Sequence, residues 1–305
     1  MKKRSLLLST ALLAALVLPQ ISTGDRGSAT LSQASTALVP MRVMNGTVSV
    51  GGKTLRTHKG FVLSINDMDL FTQKEKIEKL LTPDTVVVVD VRHAIAIKDG
   101  TLNLKARNLP KGIRSLIITN TGNNIKTIGK EFLKGYEGLN DITFVELNHV
   151  TTIEDYFLFD CIHLAKINLS GLSSVRKIGN AFINNSPIKQ IDLSPLRNVK
   201  TIGSHFLAQS DFQSIDLSPL ANVETVGSDF LTDCYYLEKV DMKPLVKLRS
   251  IDAGFLENCI GLKSVTGLKS DTHITIDRFL NTEENHQGKV SQLPEIRAKI
   301  MRERA

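Results

Sequence analysis

Tryptophan is absent from this 305-residue sequence, and it has only four Tyr and three Cys. So few cysteines exclude a small fold stapled by several disulfides. Beyond the first twenty residues no apolar run approaches the ~18 residues that a membrane helix needs. The chain carries no Gly-x-Ser-x-Gly, no phosphate loop and no dinucleotide loop. The seven His are scattered, and no pair has the i, i+4 spacing of a helical metal site. Lys and Arg nowhere gather five or six to a predicted face, so a nucleic-acid partner is not expected. The formal charge is +7, but Lys2, Lys3 and Arg4 supply three of those charges. With 42% apolar and 23% charged residues the chain can build a core and does not read as disordered.

The N-terminus reads as an export signal over 1–24. A basic start precedes an apolar stretch from Leu6 to Leu18, broken only by Ser9 and Thr10. Pro19 ends it, and Ser22, Thr23 and Gly24 are small residues suited to cleavage. Residues 25–47 are rich in Ser, Thr, Ala and Gly and read as a flexible linker. From 48 to 124 the pattern is mixed α+β. Short strands are expected around Gly51-Gly52, and one helix over Asp69–Leu81, with Leu70, Ile77, Leu80 and Leu81 near one face. Thr85–Val91 predicts a strand buried on both sides, because four consecutive valines cannot all face one way. Further strands are expected at Ala94–Ile97 and Leu116–Thr119. The segment leads into the C-terminal half of the chain as a cap would.

That half is a repeat. An aliphatic residue recurs at Ile128, Ile153, Ile178, Ile202, Val226 and Ile251, at spacings of 25, 25, 24, 24 and 25. Four positions after each stands Phe132, Phe157, Phe182, Phe206, Phe230 or Phe255, which is half of the twelve Phe in the chain. Further columns hold Leu139, Leu164, Ile188, Phe212, Leu237 and Leu262, then Ile142, Ile167, Ile191, Ile215, Val240 and Val265. In Leu164-x-x-Ile167-x-Leu169 the period of two is a strand with one face inward. Ser194-Pro195-Leu196 and Ser218-Pro219-Leu220 turn the chain out of it. A single unit cannot bury its own apolar face, so the units must stack. Each is expected to hold one short strand and a compact, partly helical return. A partial seventh unit is marked by Ile276 and Phe279, and 280–305 reads as a C-terminal cap or tail.

The unit Ile-Gly-x-x-Phe-x-x-x-Cys-x-x-Leu-x-x-Ile-x-Leu resembles the BspA-like leucine-rich repeats. The fullest copy runs from Val226-Gly227-Ser228-Asp229-Phe230 through Cys234 and Leu237 to Val240. The resemblance covers about 125–279. It implies an α/β leucine-rich-repeat solenoid of six 24–25-residue coils plus a partial seventh. It also implies a secreted, periplasmic or cell-surface protein that binds host or matrix proteins or acts in adhesion. It carries no cofactor, no metal and no catalytic motif.

Binding would use the outward side chains of the stacked strands. One column is Thr143, Asn168, Asp192, Asp216, Asp241 and Thr266. Beside it run Val145, Ser170, Ser194, Ser218 and Lys243, and on the other flank Asp141, Lys166, Gln190, Ser214, Lys239 and Ser264. The three aligned Asp repel one another, and either receive a cation or basic partner or are screened by solvent and by Lys239 and Lys243. Tyr235 and Tyr236 offer a second contact point. Cys161, Cys234 and Cys259 share one register with Ser186 and Ser210, a small-residue position in the stack, with Tyr136 as its exception. Buried thiols are the first expectation and a Cys234–Cys259 disulfide the second. Two alternative functions stay open: an envelope scaffold without a dedicated ligand, or an enzyme or inhibitor with its site in 48–120. Asp90, Arg92 and His93, at the end of a strong strand, are the candidates for the latter.

Overall fold

A Thr, Lys or Ser followed by an aliphatic residue opens each coil, and this pair forms the first of two strands. The computed structural model describes residues 60–92, 95–120, 122 and 124–267, together with the backbone of short strands at 29–30, 41–43, 47–50, 53–56 and 273–274. The export signal at 1–24, His93, Ile276, Phe279 and the tail at 280–305 lie outside the described residues.

The opening strands Thr127–Ile128, Thr152–Ile153, Lys177–Ile178, Thr201–Ile202 and Thr225–Val226 pair in parallel, each one coil from the next. Their aliphatic residues are buried and their partners point outward. Thr101–Leu102 continues this sheet towards the N-terminus and Ile97–Lys98 closes its edge antiparallel, giving seven strands.

The second strand of the coil is the one that the Ile-x-Leu spacing predicts. Asp141–Val145 and Lys166–Asn168 pair in parallel, and Lys239–Asp241 pairs with Ser264–Thr266. The first group joins Gly60–Asn66, Thr85–Asp90 and Ser115–Thr119 in one six-stranded sheet that ends on Met41–Val43. The register Val87↔Leu116↔Ile142↔Ile167 runs from the capping segment into the repeats without a break. The valine run is buried on both sides, as its composition requires. Val87 and Val89 face the main core, while Val86 and Val88 join Val62, Ile117 and Val145 in a second apolar cluster. Val145 is therefore not on the open face where its column placed it: it ends the longest strand of the repeat, beside Ile117 and not beside solvent.

Elsewhere in the N-terminal segment, Thr47–Val50 and Lys53–Arg56 pair antiparallel, flanking Gly51-Gly52 as expected. Ala29–Thr30 pairs with Val48–Ser49 inside the stretch read as a linker. The helix expected over Asp69–Leu81 is two short ones, Asp67–Thr72 and Lys74–Glu78, broken at Gln73 where φ is −117° and ψ 27°. Asn66 caps the first by accepting from Asp69 N–H at 2.8 Å. Leu70 and Ile77 are fully buried, so the apolar stripe is used despite the break.

The return after each Phe differs from the expected helical turn. No α-helix occurs among the described residues of the repeats. The residues one before, one after and three after each Phe instead take positive φ, as in Ala181 (55°), Ile183 (54°) and Asn185 (56°). Such angles cost roughly 1–2 kcal/mol each for residues other than Gly. Three bonds per coil offset this by tying it to both neighbours. Ala181 N–H donates to Ser204 O at 2.7 Å, Ile183 N–H to Phe157 O at 2.8 Å and Asn185 N–H to Ala208 O at 3.1 Å. Alternate N–H groups thus point up and down the stack, which a helix, bonding within itself, cannot do.

Between these seams the six aligned Phe rings form a continuous pile. Neighbouring centroids lie 5.4, 5.1, 5.3, 5.2 and 4.9 Å apart with interplanar angles of 16° or less. Offset stacking at these distances adds about 0.5–1.5 kcal/mol per pair beyond burial. Glycine is required where coils approach most closely: a Cβ on Gly227 would sit 2.5 Å from Ser204 N.

Candidate functional site

The open face of the second strand is built from short polar side chains, and their orientation follows from the turn that leaves the strand. Asn168, Asp192, Asp216 and Asp241 each accept from the backbone N–H two residues on. The distances are 2.9 Å from Ser170, 2.8 Å from Ser194, 2.8 Å from Ser218 and 3.1 Å from Lys243. The first three of these open 3-10 turns at Ser170–Leu172, Ser194–Leu196 and Ser218–Leu220. Pro195 and Pro219 fit because their positions donate no bond there.

The aspartate column is thus a set of turn caps. The Ser218 hydroxyl and N–H hold the Asp216 carboxyl below its usual range. Asp241 also accepts from Thr266 Oγ1 at 3.1 Å, joining two coils. The caps explain why the position favours Asp or Asn. They leave the carboxylates at the surface: Asn168, Asp192, Asp216 and Asp241 are all exposed, as are Ser170, Ser194, Ser218, Lys243, Lys166, Gln190 and Lys239. Thr143 is half-buried.

The strands beneath this column are not continuous. Asp141↔Lys166 and Thr143↔Asn168 are paired, as are Lys239↔Ser264 and Asp241↔Thr266. Between them the only pairing among the described residues is an isolated bridge, Ser214↔Lys239. Gln190 and Asp192 lie in the interrupted stretch.

A groove of about 300 Å³ borders the N-terminal end of this face. Asp84, Arg114, Ser115, Asp141, His163 and Lys166 line it. Ser115 Oγ donates to Asp141 Oδ1 at 2.6 Å. The repeat register carries the signal for it, since Ser115↔Asp141↔Lys166 is one row, but coils counted from 125 onward leave Ser115 out. Tyr235 and Tyr236 are both exposed.

The sheet of opening strands is not apparent in the sequence, and it groups cations that the sequence leaves apart. Its outward rows carry Lys126, Arg176, Lys177 and Lys200, all exposed, and exposed Arg249 precedes the opening strand Ser250–Ile251, which pairs in a separate sheet. These residues are far apart in sequence, and only a strand at the opening pair brings them together.

The three thiols are free and fully buried, so the Cys234–Cys259 bridge is not formed. Cys161, Cys234 and Cys259 donate to Leu133 O, Leu207 O and Leu231 O of the preceding coil at 3.3, 3.4 and 3.1 Å. Ser186 does the same to Leu158 O at 3.3 Å. In these four coils the column is a hydrogen-bonding position for a small donor, whereas the buried Ser210 hydroxyl makes no such bond. Burial pushes the Cys161 thiol up to about 12 and that of Cys259 well above its ordinary range. Tyr136, the exception, accepts from Ile113 N–H at 3.1 Å and donates to Pro110 O. Its larger ring reaches the capping segment where other coils meet a coil.

Asp90 and Arg92 form an ion pair at 2.7 Å, and Arg92 N–H donates to the buried Asp67 carboxylate at 3.2 Å. This network pins the end of the 85–90 strand to the start of the first helix. Among the described residues no three His, Cys, Asp or Glu are close enough to hold a metal ion, and no helix is long and apolar enough to cross a membrane.

Comparison with protein families matches the BspA type leucine-rich repeat region, in six copies, over residues 111–238 and 172–286. No curated protein matches the chain.

Proposed function

The chain belongs to the BspA-type leucine-rich-repeat family, and from that premise we propose that it is an exported binding module that engages a protein partner through its open strand face. Repeat folds of this kind mediate protein–protein contact through that face. The observation that carries the reading is the same cap repeated in four successive coils, which holds the exposed short side chains of Asn168, Asp192, Asp216 and Asp241, each fixed by its own turn. Rigid caps lower the ordering cost of contact. Large aromatic anchors are missing from the row, so the contact is broad and polar, with basic groups of the partner meeting the acidic centre. The adhesion role and the export route at 1–24 belong to this proposal.

The full chain, immobilised and exposed to a set of extracellular-matrix proteins, is expected to retain at least one. The variant Asp192→Asn/Asp216→Asn/Asp241→Asn keeps the turn acceptors and removes the charge. Loss of retention with an unchanged melting temperature supports the strand face. Undiminished retention by the variant overturns it. Cell fractionation with surface proteolysis tests the location: a protease-resistant cytoplasmic pool would sink the export reading.

A further inference from the structure

The sheet of opening strands carries the opposite charge to the strand face. Its outward row is Thr127, Thr152, Lys177, Thr201 and Thr225, held in register by the parallel ladder. The row beside it is Lys126, Thr151, Arg176, Lys200 and Glu224, and Arg249 stands 25 residues further on. Direct backbone bonds join this row coil to coil. Thr151 N–H donates to Lys126 O at 2.8 Å, Arg176 N–H to Thr151 O at 2.8 Å, Lys200 N–H to Arg176 O at 2.9 Å and Glu224 N–H to Lys200 O at 2.9 Å. These rows hold five exposed cations and one carboxylate, Glu224, which pairs with Lys200 at 3.8 Å, and Glu154 and Asp252 flank them just past Ile153 and Ile251. The row opens into a polar groove of about 260 Å³ lined by Asn148, His149, Thr151, Ser174, Arg176 and Asn198. Asn198 is fixed there by donation from Nδ2 to Ser173 O at 2.9 Å.

We propose that this edge binds a sulfated polysaccharide lying along the solenoid axis. Successive coils are ~4.8 Å apart, so a linear polyanion meets cations at intervals of roughly one or two coils. Lys126 and Arg176 are two coils apart, a span comparable with two linked sugar rings. The guanidinium groups of Arg176 and Arg249 suit forked hydrogen bonding to sulfate oxygens. The amides of Asn148 and Asn198 and the hydroxyls of Ser174, Thr151 and the threonine row match the hydroxyls of a sugar. Neither row holds an aromatic residue, so the base stacking on which single-stranded nucleic acid binding relies is missing. The surface is distinct from the strand face and does not depend on the reading given for it.

The test uses the full chain with immobilised heparin as the sulfated probe, neutral dextran as the uncharged one and a single-stranded DNA of equal charge as the rival polyanion. Thr occupies these rows in neighbouring coils, so Lys126→Thr/Arg176→Thr/Lys177→Thr/Arg249→Thr is compatible with the fold. The charge-matched control is Lys76→Gln/Lys79→Gln/Lys111→Gln/Lys189→Gln, spread over other surfaces. Heparin is expected to bind and dextran not. The row variant should lose at least about tenfold in affinity near physiological salt, and the control should lose little. Equal loss in both variants, equally tight DNA binding, or no binding of heparin by the unmodified chain would each overturn the proposal.

Discussion

Two sides of the same coil respond differently to the loss of one residue. The units that begin at Ile178 and Ile202 are 24 residues long where the others are 25. The missing residue falls between Ser186 and Ile188 and between Ser210 and Phe212, where Cys161 and Leu164 are separated by two residues. Upstream of that point nothing changes. The opening ladder passes through both short coils, and the Phe182–Phe206 and Phe206–Phe230 spacings of 5.3 and 5.2 Å match the rest of the pile. Downstream, the second strand loses its pairing. Ile191 and Ile215 are only partly buried, as is Ile167 in the full-length coil next to them, whereas Ile142 and Val240 are buried. The stack therefore tolerates deletion on the side where outward residues are short and polar, and keeps its pitch where rings and ladder interlock.

The largest expected effect lies on the constant side. Phe206→Ala removes a fully buried ring between two stacked neighbours and should cost about 3–5 kcal/mol in a denaturant titration. A loss below about 1 kcal/mol would mean that the pile is not what sets the pitch.

An intermediate effect tests the variable side. Inserting one Asn after Pro187 and one after Asp211 restores two 25-residue coils. Hydrogen exchange should then slow at residues 190–192 and 214–216, and stability should rise by about 1–3 kcal/mol as ladder bonds form. Unchanged exchange would show that the interruption has a cause other than length.

The smallest effect concerns a single cap. Asp216→Ala should lower stability by about 0.5 kcal/mol, the low end of capping effects, because the group is exposed. Its carboxyl is held below the usual range when folded, so this contribution is present above the unfolded-state value near pH 4 and fades as pH falls through the lower folded value. Thermal melts of both proteins should therefore converge in acid.

Much of this architecture is legible because burial repeats. The Phe column, the Ile-x-Leu strand and the stop at Ser-Pro-Leu all follow from period and composition. The two-residue strand at Thr127–Ile128 is not, because an alternation of two positions is too short to register as a period. Without it Lys126, Arg176 and Lys200 look scattered. The left-handed return also escapes notice, although its third position carries Gly135, Asp160, Asn185, Gln209, Asp233 and Asn258, residue types that mostly tolerate positive φ. The aspartate column reads as a charged surface, and its capping role appears only once the turn is seen. Val145 misleads because column membership predicts orientation only while the neighbouring strand ends at the same place.

The bonds between coils also govern how such a chain comes into being. Those made by side chains between repeats reach back 24 to 28 residues, about the length of one coil. During synthesis, each newly released coil therefore finds its template already complete on the N-terminal side. At roughly 5–20 residues per second, a coil is added every few seconds. The growing molecule exposes one unfinished edge at a time, so its risk of sticking to other chains does not grow with length.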